Sequence, residues 1–175
     1  MLFGKNNFEI FDVPQTYDVD QKGLLKRYLG LQRKFHPDRY IASSEAEKRI
    51  NMQWVAEINL AFETLSDDLQ RSIYLLKLNG HELEENPTLD KGILLKQIEL
   101  REDLEEIKRD SNYELALTGF KKETEKDLES LKSNLKAAFS IGDSEAIKNL
   151  IYEKQFLTKL IGEAELLNQN LTRLD

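Results

Sequence analysis

Residues 24–38 read Leu24-Leu25-Lys26-Arg27-Tyr28-Leu29-Gly30-Leu31-Gln32-Arg33-Lys34-Phe35-His36-Pro37-Asp38, and this stretch decides the fold. Leu24, Tyr28, Leu31 and Phe35 recur at spacings of 4, 3 and 4, which places them on one face of a helix. At about 100° per residue, Lys22, Lys26 and Arg33 fall opposite that stripe, while Arg27 and Lys34 form a second basic row. The basic surface leads straight into His36-Pro37-Asp38. Pro37 has no N–H and disfavours a helical conformation in the residue before it. The tripeptide therefore leaves the helix and presents its polar side chains in a turn.

Working outward, Phe8-Glu9-Ile10-Phe11-Asp12-Val13 is a short apolar stretch stopped by Pro14, so any helix there is brief. Asp18 followed by Gln21 has the spacing of a capping box and predicts the start of the second helix. Downstream, Ser43 and Ser44 followed by Glu47 predict the cap of a third helix. That helix runs to about Leu65 with Ile50, Val55, Ile58, Phe62 and Leu65 as core positions, Trp54 joining them or lying at an edge. Asp67 and Asp68 open a fourth helix through Ile73, Leu76 and Leu78, and Asn79-Gly80 supplies a left-handed stop.

From Glu82 to Asp90 the chain is polar and contains Pro87, the composition of a loop. Long helical patterns follow over about 90–109, 112–140 and 143–173, with Gly142-Asp143 marking the last break and Asp143 capping the last helix. Short connections between long helices imply antiparallel neighbours, hence a three-helix bundle. No strand pattern and no internal repeat is found. The expected architecture is all-α: a helix hairpin with short flanking helices over 1–78, a linker over 79–89, and a three-helix bundle over 90–175.

Composition narrows the function. There is no cysteine, which removes disulfides, Cys-ligated zinc, iron–sulfur ligation and a catalytic thiol. Only two histidines, His36 and His81, are present, and His81 beside the Asn79-Gly80 stop reads as a loop residue rather than a ligand. With no Gly-rich phosphate loop and no paired carboxylates in an evident pocket, nothing points to an enzyme, a metal or a cofactor. The net charge of −7 disfavours a simple nucleic-acid binder. No apolar run approaches the ~20 residues of a membrane span. The start, Met1-Leu2-Phe3-Gly4-Lys5, resembles neither a signal nor a transit peptide, so a cytoplasmic protein is expected. The charge is uneven: 10 basic and 11 acidic residues precede Lys77, against 15 and 21 from it onwards.

The order of short helix, basic helix, His36-Pro37-Asp38, long helix and short helix resembles a J-domain, the co-chaperone module that activates DnaK-class ATPase chaperones. The resemblance implies that His36, Pro37 and Asp38 dock on the chaperone's nucleotide-binding domain near its interdomain linker. Lys26, Arg27, Tyr28, Arg33 and Lys34 would then be the supporting surface. Leu29 and Gly30 stand where many general-purpose J-domains carry basic residues, which suits a dedicated chaperone rather than a promiscuous one.

In the back half, Ile93, Gln97, Leu100, Leu104 and Ile107 cluster within about 80° of helix surface as a core stripe. Leu95 and Ile98 point roughly the other way with Leu94 on the flank, beside Glu99, Glu102, Glu105 and Glu106. Apolar groups among carboxylates, facing away from a bundle, describe a small binding patch. A solvated acidic face with a few scattered apolar residues is the plainer alternative. A J-domain, a Cys-free linker and the run from Leu94 to Ile107 opening a bundle together resemble the HscB family. These are J-domain co-chaperones of bacterial iron–sulfur cluster assembly, and the similarity covers essentially the whole chain. It implies that the bundle binds an IscU-like scaffold protein and that the J-domain delivers it to an HscA-like, DnaK-class chaperone. The implied scaffold contacts are Leu94, Leu95, Ile98, Glu99, Glu102 and Glu106, with Phe156 from the last helix. Lys96 stands where an acidic residue is common and would weaken the acidic half of the patch. A monomer without resident cofactor is expected.

Overall fold

A computed structural model describes residues 4–110 and 113–171 of the chain. In order, its helices are α1 (Asn7–Ile10), α2 (Gln21–Lys34), a 3-10 turn (Pro37–Tyr40), α3 (Glu45–Ser66), α4 (Asp68–Leu78), α5 (Lys91–Ile107), α6 (Tyr113–Ile141) and α7 (Ser144–Leu171). No strand occurs among the described residues. The chain divides into two compact units at Gly80/His81.

In the first unit α2 and α3 run antiparallel. Gln21 donates to the Leu65 carbonyl, the Tyr28 ring stacks on Phe62 at 4.1 Å, and Phe35 meets Trp54 edge-on at 5.1 Å. Leu24, Ile58 and Leu65 are fully buried between them, and burying a leucine-sized side chain stabilises a fold by about 1.5–3 kcal/mol. α1 closes one side through Phe8, stacked on Tyr74, and Phe11, edge-on to Phe62. Leu75 and Leu76 of α4 complete the core, while Leu78 lies at the surface.

Two expectations are corrected here. The N-cap of α2 is Asp20, not Asp18: its carboxylate accepts from the Lys22 N–H at 3.1 Å. Ile50 is 41% exposed and Asn51 takes the core position. Asn51 donates to the Phe35 carbonyl at 2.9 Å, satisfying a backbone acceptor that the end of α2 leaves open. The other caps match the sequence. Ser44 and Glu47 form a reciprocal capping box, in which bonds from the Ser44 N–H and hydroxyl hold the Glu47 carboxyl below its usual range. Asp67 caps α4 and Gly80 follows it at φ +84°.

Two glycines in α2 predict opposite responses. A Cβ on Gly30 would meet nothing within 4 Å, whereas one on Gly23 would lie 2.5 Å from Asp20 Oδ2. Gly30→Ala therefore gains about 1 kcal/mol of helix propensity. Gly23→Ala must displace the capping carboxylate, and the lost cap, worth roughly 0.5–2 kcal/mol, offsets the same gain. Thermal melts should show a raised Tm for the first variant and none for the second.

In the second unit α5, α6 and α7 pack around Leu104, Leu117, Leu160 and Ala164, with Leu135, Ile151 and Leu157 also fully buried. Gly142 at φ +81° turns the chain between α6 and α7, and Asp143 accepts from the Ala146 N–H at 3.0 Å. The polar segment before α5 is anchored within this unit: the Glu84 N–H donates to the Tyr152 hydroxyl at 2.7 Å.

Candidate partner-binding sites

The first candidate lies at the end of the α2–α3 hairpin. His36 N-caps the 3-10 turn, its Nδ1 accepting from the Asp38 N–H at 3.3 Å, while its carbonyl accepts from the Arg39 N–H at 3.0 Å. With Nδ1 used as an acceptor, the neutral ring carries its proton on Nε2. Asp38 Oδ2 stands 3.5 Å from Nδ1, an ion-pair contact only when the ring is protonated, and the two side chains are 58% and 79% exposed for His36 and Asp38. Backbone and ring thus fix the turn. The Asp38 carboxylate is left facing solvent.

The sequence-predicted supporting residues separate into two groups. Lys26, Arg33 and Lys34 are exposed, Lys34 lying 5.4 Å over the Phe35 ring. Arg27 instead donates through Nη1 to the Phe11 carbonyl and to Asp12 Oδ2, both at 3.0 Å. Tyr28 is half-buried on Phe62 and donates to Asn59 Oδ1 at 3.2 Å. Tyr28 is tied into the hairpin, while Arg27, with its side chain 47% exposed, is bonded on one side only. Asp12, to which Arg27 is bonded, stands at φ +50°, a left-handed conformation that aspartate tolerates better than most residues. Arg27→Ala should therefore lower the denaturation midpoint by the equivalent of about 1 kcal/mol.

Ile41 and Met52, 72% and 69% exposed, escaped the sequence reading. With Pro37, Tyr40, Lys48 and Asn51 they line a shallow cleft of about 300 Å³ beside the turn. The available signal was Asn51: a polar residue in the core register turns its neighbour Met52 outward.

The second candidate is the outer face of α5. Leu94, Leu95 and Ile98 are 49%, 57% and 47% exposed, and Glu99, Glu102 and Glu106 are exposed beside them. Three residues depart from expectation. Lys96 does not dilute this acidic row: its ammonium bonds Asp127 of α6 at 2.9 Å and Glu153 of α7 at 3.0 Å. Burial opposes that charge, but the bonds to both carboxylates outweigh it and raise the Lys96 pKa above its usual value. Glu105 is half-buried and pairs with Lys108, which holds its carboxyl below the usual range. Phe156 is half-buried, packed on the cluster of Leu104, Leu117, Leu160 and Ala164. It belongs at least as much to the core as to the surface.

Among the described residues no cluster of His, Cys, Asp or Glu is arranged to hold a metal ion, and no helix is long and apolar enough to cross a membrane.

Comparison with known proteins identifies the family. Residues 89–165 match a family model described as the HSCB C-terminal oligomerisation domain. The co-chaperone protein HscB homolog of Aeromonas hydrophila is 34% identical over 168 residues, spanning 95% of this chain and 98% of that protein. Its counterpart in Haemophilus influenzae is 34% identical over 173 residues, spanning 97% and 99%. The chain belongs to the HscB co-chaperone family. Solved HscB structures share its fold. Chaperone HscB from Vibrio cholerae superposes with a TM-score of 0.86 at 32% identity, over 95% of this chain and 99% of that one. Human co-chaperone protein HscB gives 0.87 at 26% identity, over 95% and 83%. The all-α architecture, an N-terminal J-domain followed by a C-terminal helical bundle, is that of HscB.

Proposed function

We propose that the chain is a two-site adaptor that delivers an IscU-like iron–sulfur cluster scaffold protein to an HscA-like, DnaK-class chaperone and stimulates that chaperone's ATPase. The observation carrying this reading is the pairing of an exposed His36-Pro37-Asp38 turn on a basic hairpin with an exposed apolar and acidic face on α5, in separate units of one HscB-family chain. The J-domain comprises residues 1–78, the linker 79–89 and the scaffold-binding bundle 90–175. Asp38, His36 and Pro37 engage the chaperone, with Lys26, Arg27, Tyr28, Arg33 and Lys34 as the supporting surface. Leu94, Leu95, Ile98, Glu99, Glu102 and Glu106 engage the scaffold.

Covalently joining the two sites makes the second encounter intramolecular, so two individually weak contacts suffice. The hydrolysis belongs to the chaperone; the adaptor itself performs no chemistry and works as a cytoplasmic monomer. The test is the ATPase rate of an HscA-like chaperone with and without this protein, each with and without scaffold. Stimulation that rises further with scaffold is expected. Stimulation that ignores scaffold, with no scaffold captured in a pull-down, would instead make this a J-domain co-chaperone for a different client.

A further inference from the structure

α5 carries an exposed apolar and acidic face, yet apolar packing seats it on little. Leu104 is its one fully buried side chain, and Ile93, Gln97, Leu100 and Ile107 of the same stripe are half-buried. Apolar contact is non-directional, so a helix held this way is free to roll about its axis. A roll would turn Leu95 and Ile98 away from the direction in which a partner meets them.

Two sets of ion pairs oppose that roll, one on each flank of the stripe. Lys96 and Arg101 are five residues apart in sequence, hence about 140° apart around the helix, and the whole core stripe lies between them. Lys96 Nζ bonds Asp127 of α6 at 2.9 Å and Glu153 of α7 at 3.0 Å, and Arg101 Nη1 bonds Glu163 of α7. Glu153 and Glu163 stand before and after Phe156 along α7, which packs on the same cluster as Leu104. The five charged side chains are partly covered, between 16% and 42% exposed. Isolated surface pairs stabilise little, but a cation shared by two carboxylates is a network. Placed on opposite flanks, such pairs constrain direction.

We propose that Lys96 and Arg101 are positioning residues for scaffold recognition: paired with Asp127, Glu153 and Glu163, they fix the roll of α5 and present Leu94, Leu95, Ile98 and the carboxylates beside them as one preformed surface. The inference rests on the scaffold-binding reading of α5 given above. It reverses the expected sign of Lys96. As a cation diluting an acidic patch, Lys96 would weaken binding to a positively charged scaffold surface, and its removal would tighten it. As a clamp, its removal weakens binding, because the partner must then order a helix that was ordered beforehand.

The test is calorimetric titration of purified IscU-like scaffold into the full-length chain, with Tm measured for every variant. Lys96→Met and Arg101→Met should each raise Kd about three- to tenfold. Lys96→Arg keeps donors for both carboxylates and should bind within about twofold of wild type. The penalty of Leu95→Ala should shrink in the Lys96→Met background, since a face already turned aside has less to lose. Arg101→Met carries the test by itself if Lys96→Met does not fold. Either methionine variant binding as tightly as wild type or tighter, whether or not its Tm falls, overturns the clamp and leaves α5 as the interface. A loss in Lys96→Met that Lys96→Arg does not rescue, with a Leu95→Ala penalty that stays additive, puts Lys96 in the contact itself and overturns it too. If wild type binds no scaffold, the adaptor reading fails together with the clamp.

Discussion

Asp38→Asn should abolish ATPase stimulation of the partner chaperone while leaving scaffold binding and Tm unchanged. The substitution keeps the shape of the side chain and removes only its charge. The group is 79% exposed and its 3.5 Å approach to His36 Nδ1 is a solvent-screened surface contact, so the native fold loses almost nothing. The turn itself survives, because it is held by the Asp38 N–H on His36 Nδ1 and the Arg39 N–H on the His36 carbonyl. Exposed substitutions of this kind change stability by no more than about 0.5 kcal/mol. The loss at the partner is of another order. A carboxylate desolvated against a positive group on the chaperone forms a charge-assisted bond, and removing one such charge costs roughly 2–5 kcal/mol, a factor of 30 or more in coupling. His36→Gln should act in the same direction. Single-turnover ATPase assays with scaffold affinity measured in parallel decide it: a variant that lost both activities while still folded would show that the two sites are not separate.

The hairpin and the bundle were legible in the sequence because apolar spacing and caps agree there. Ser44 with Glu47, Asp67, Gly80 and Asp143 all occupy the positions their chemistry predicts. The second helix start was misread because Asp18 and Asp20 are both good caps, and Gln21 completes a capping-box spacing only for the wrong one. What decides between them is Gly23, whose missing side chain leaves room for the Asp20 carboxylate. Ile50 was assigned to the core on apolarity alone. The true register is Asn51, Ile58 and Leu65 at intervals of seven, with asparagine at the end where a backbone carbonyl of α2 needs a donor.

The candidate sites were legible for short side chains and misleading for long ones. Projection placed Leu95 and Ile98 outward and Pro37 put Asp38 in a turn, and all three are outward. Projection also placed Arg27 in a surface row, and the resemblance set Lys96 in the acidic patch. Each carries its charge several bonds from the backbone, so its partner is set by what lies across the groove: α1 for Arg27, and α6 and α7 for Lys96. Helical periodicity holds no information about that opposite wall.

Replacing Leu94, Leu95 and Ile98 together by alanine should weaken scaffold binding by about 100-fold, with some loss of stability from their buried halves while the chain stays folded. Each is roughly half exposed, so a docked partner has about half of its apolar area left to cover. Half of the ~1.5–3 kcal/mol for full burial is about 1 kcal/mol per residue, and three such losses come to about 3 kcal/mol, or a factor of ~100 in Kd. Those halves contribute nothing to folding because water covers them in the free protein. Phe156 behaves differently. Packed against Leu104, Leu117, Leu160 and Ala164, its truncation leaves a cavity in the bundle and should cost about 2–4 kcal/mol of stability. Phe156→Ala should therefore lower Tm more than it weakens binding, whereas the α5 triple variant should lose binding beyond what its lowered melt accounts for. Charge-neutralising Glu99→Gln and Glu102→Gln should chiefly slow association and reduce its salt dependence, since rim carboxylates act on encounter more than on residence. Calorimetric titration of purified scaffold into each variant, beside its melting curve, separates the two kinds of residue. A triple variant that bound scaffold with wild-type Kd would remove α5 from the interface.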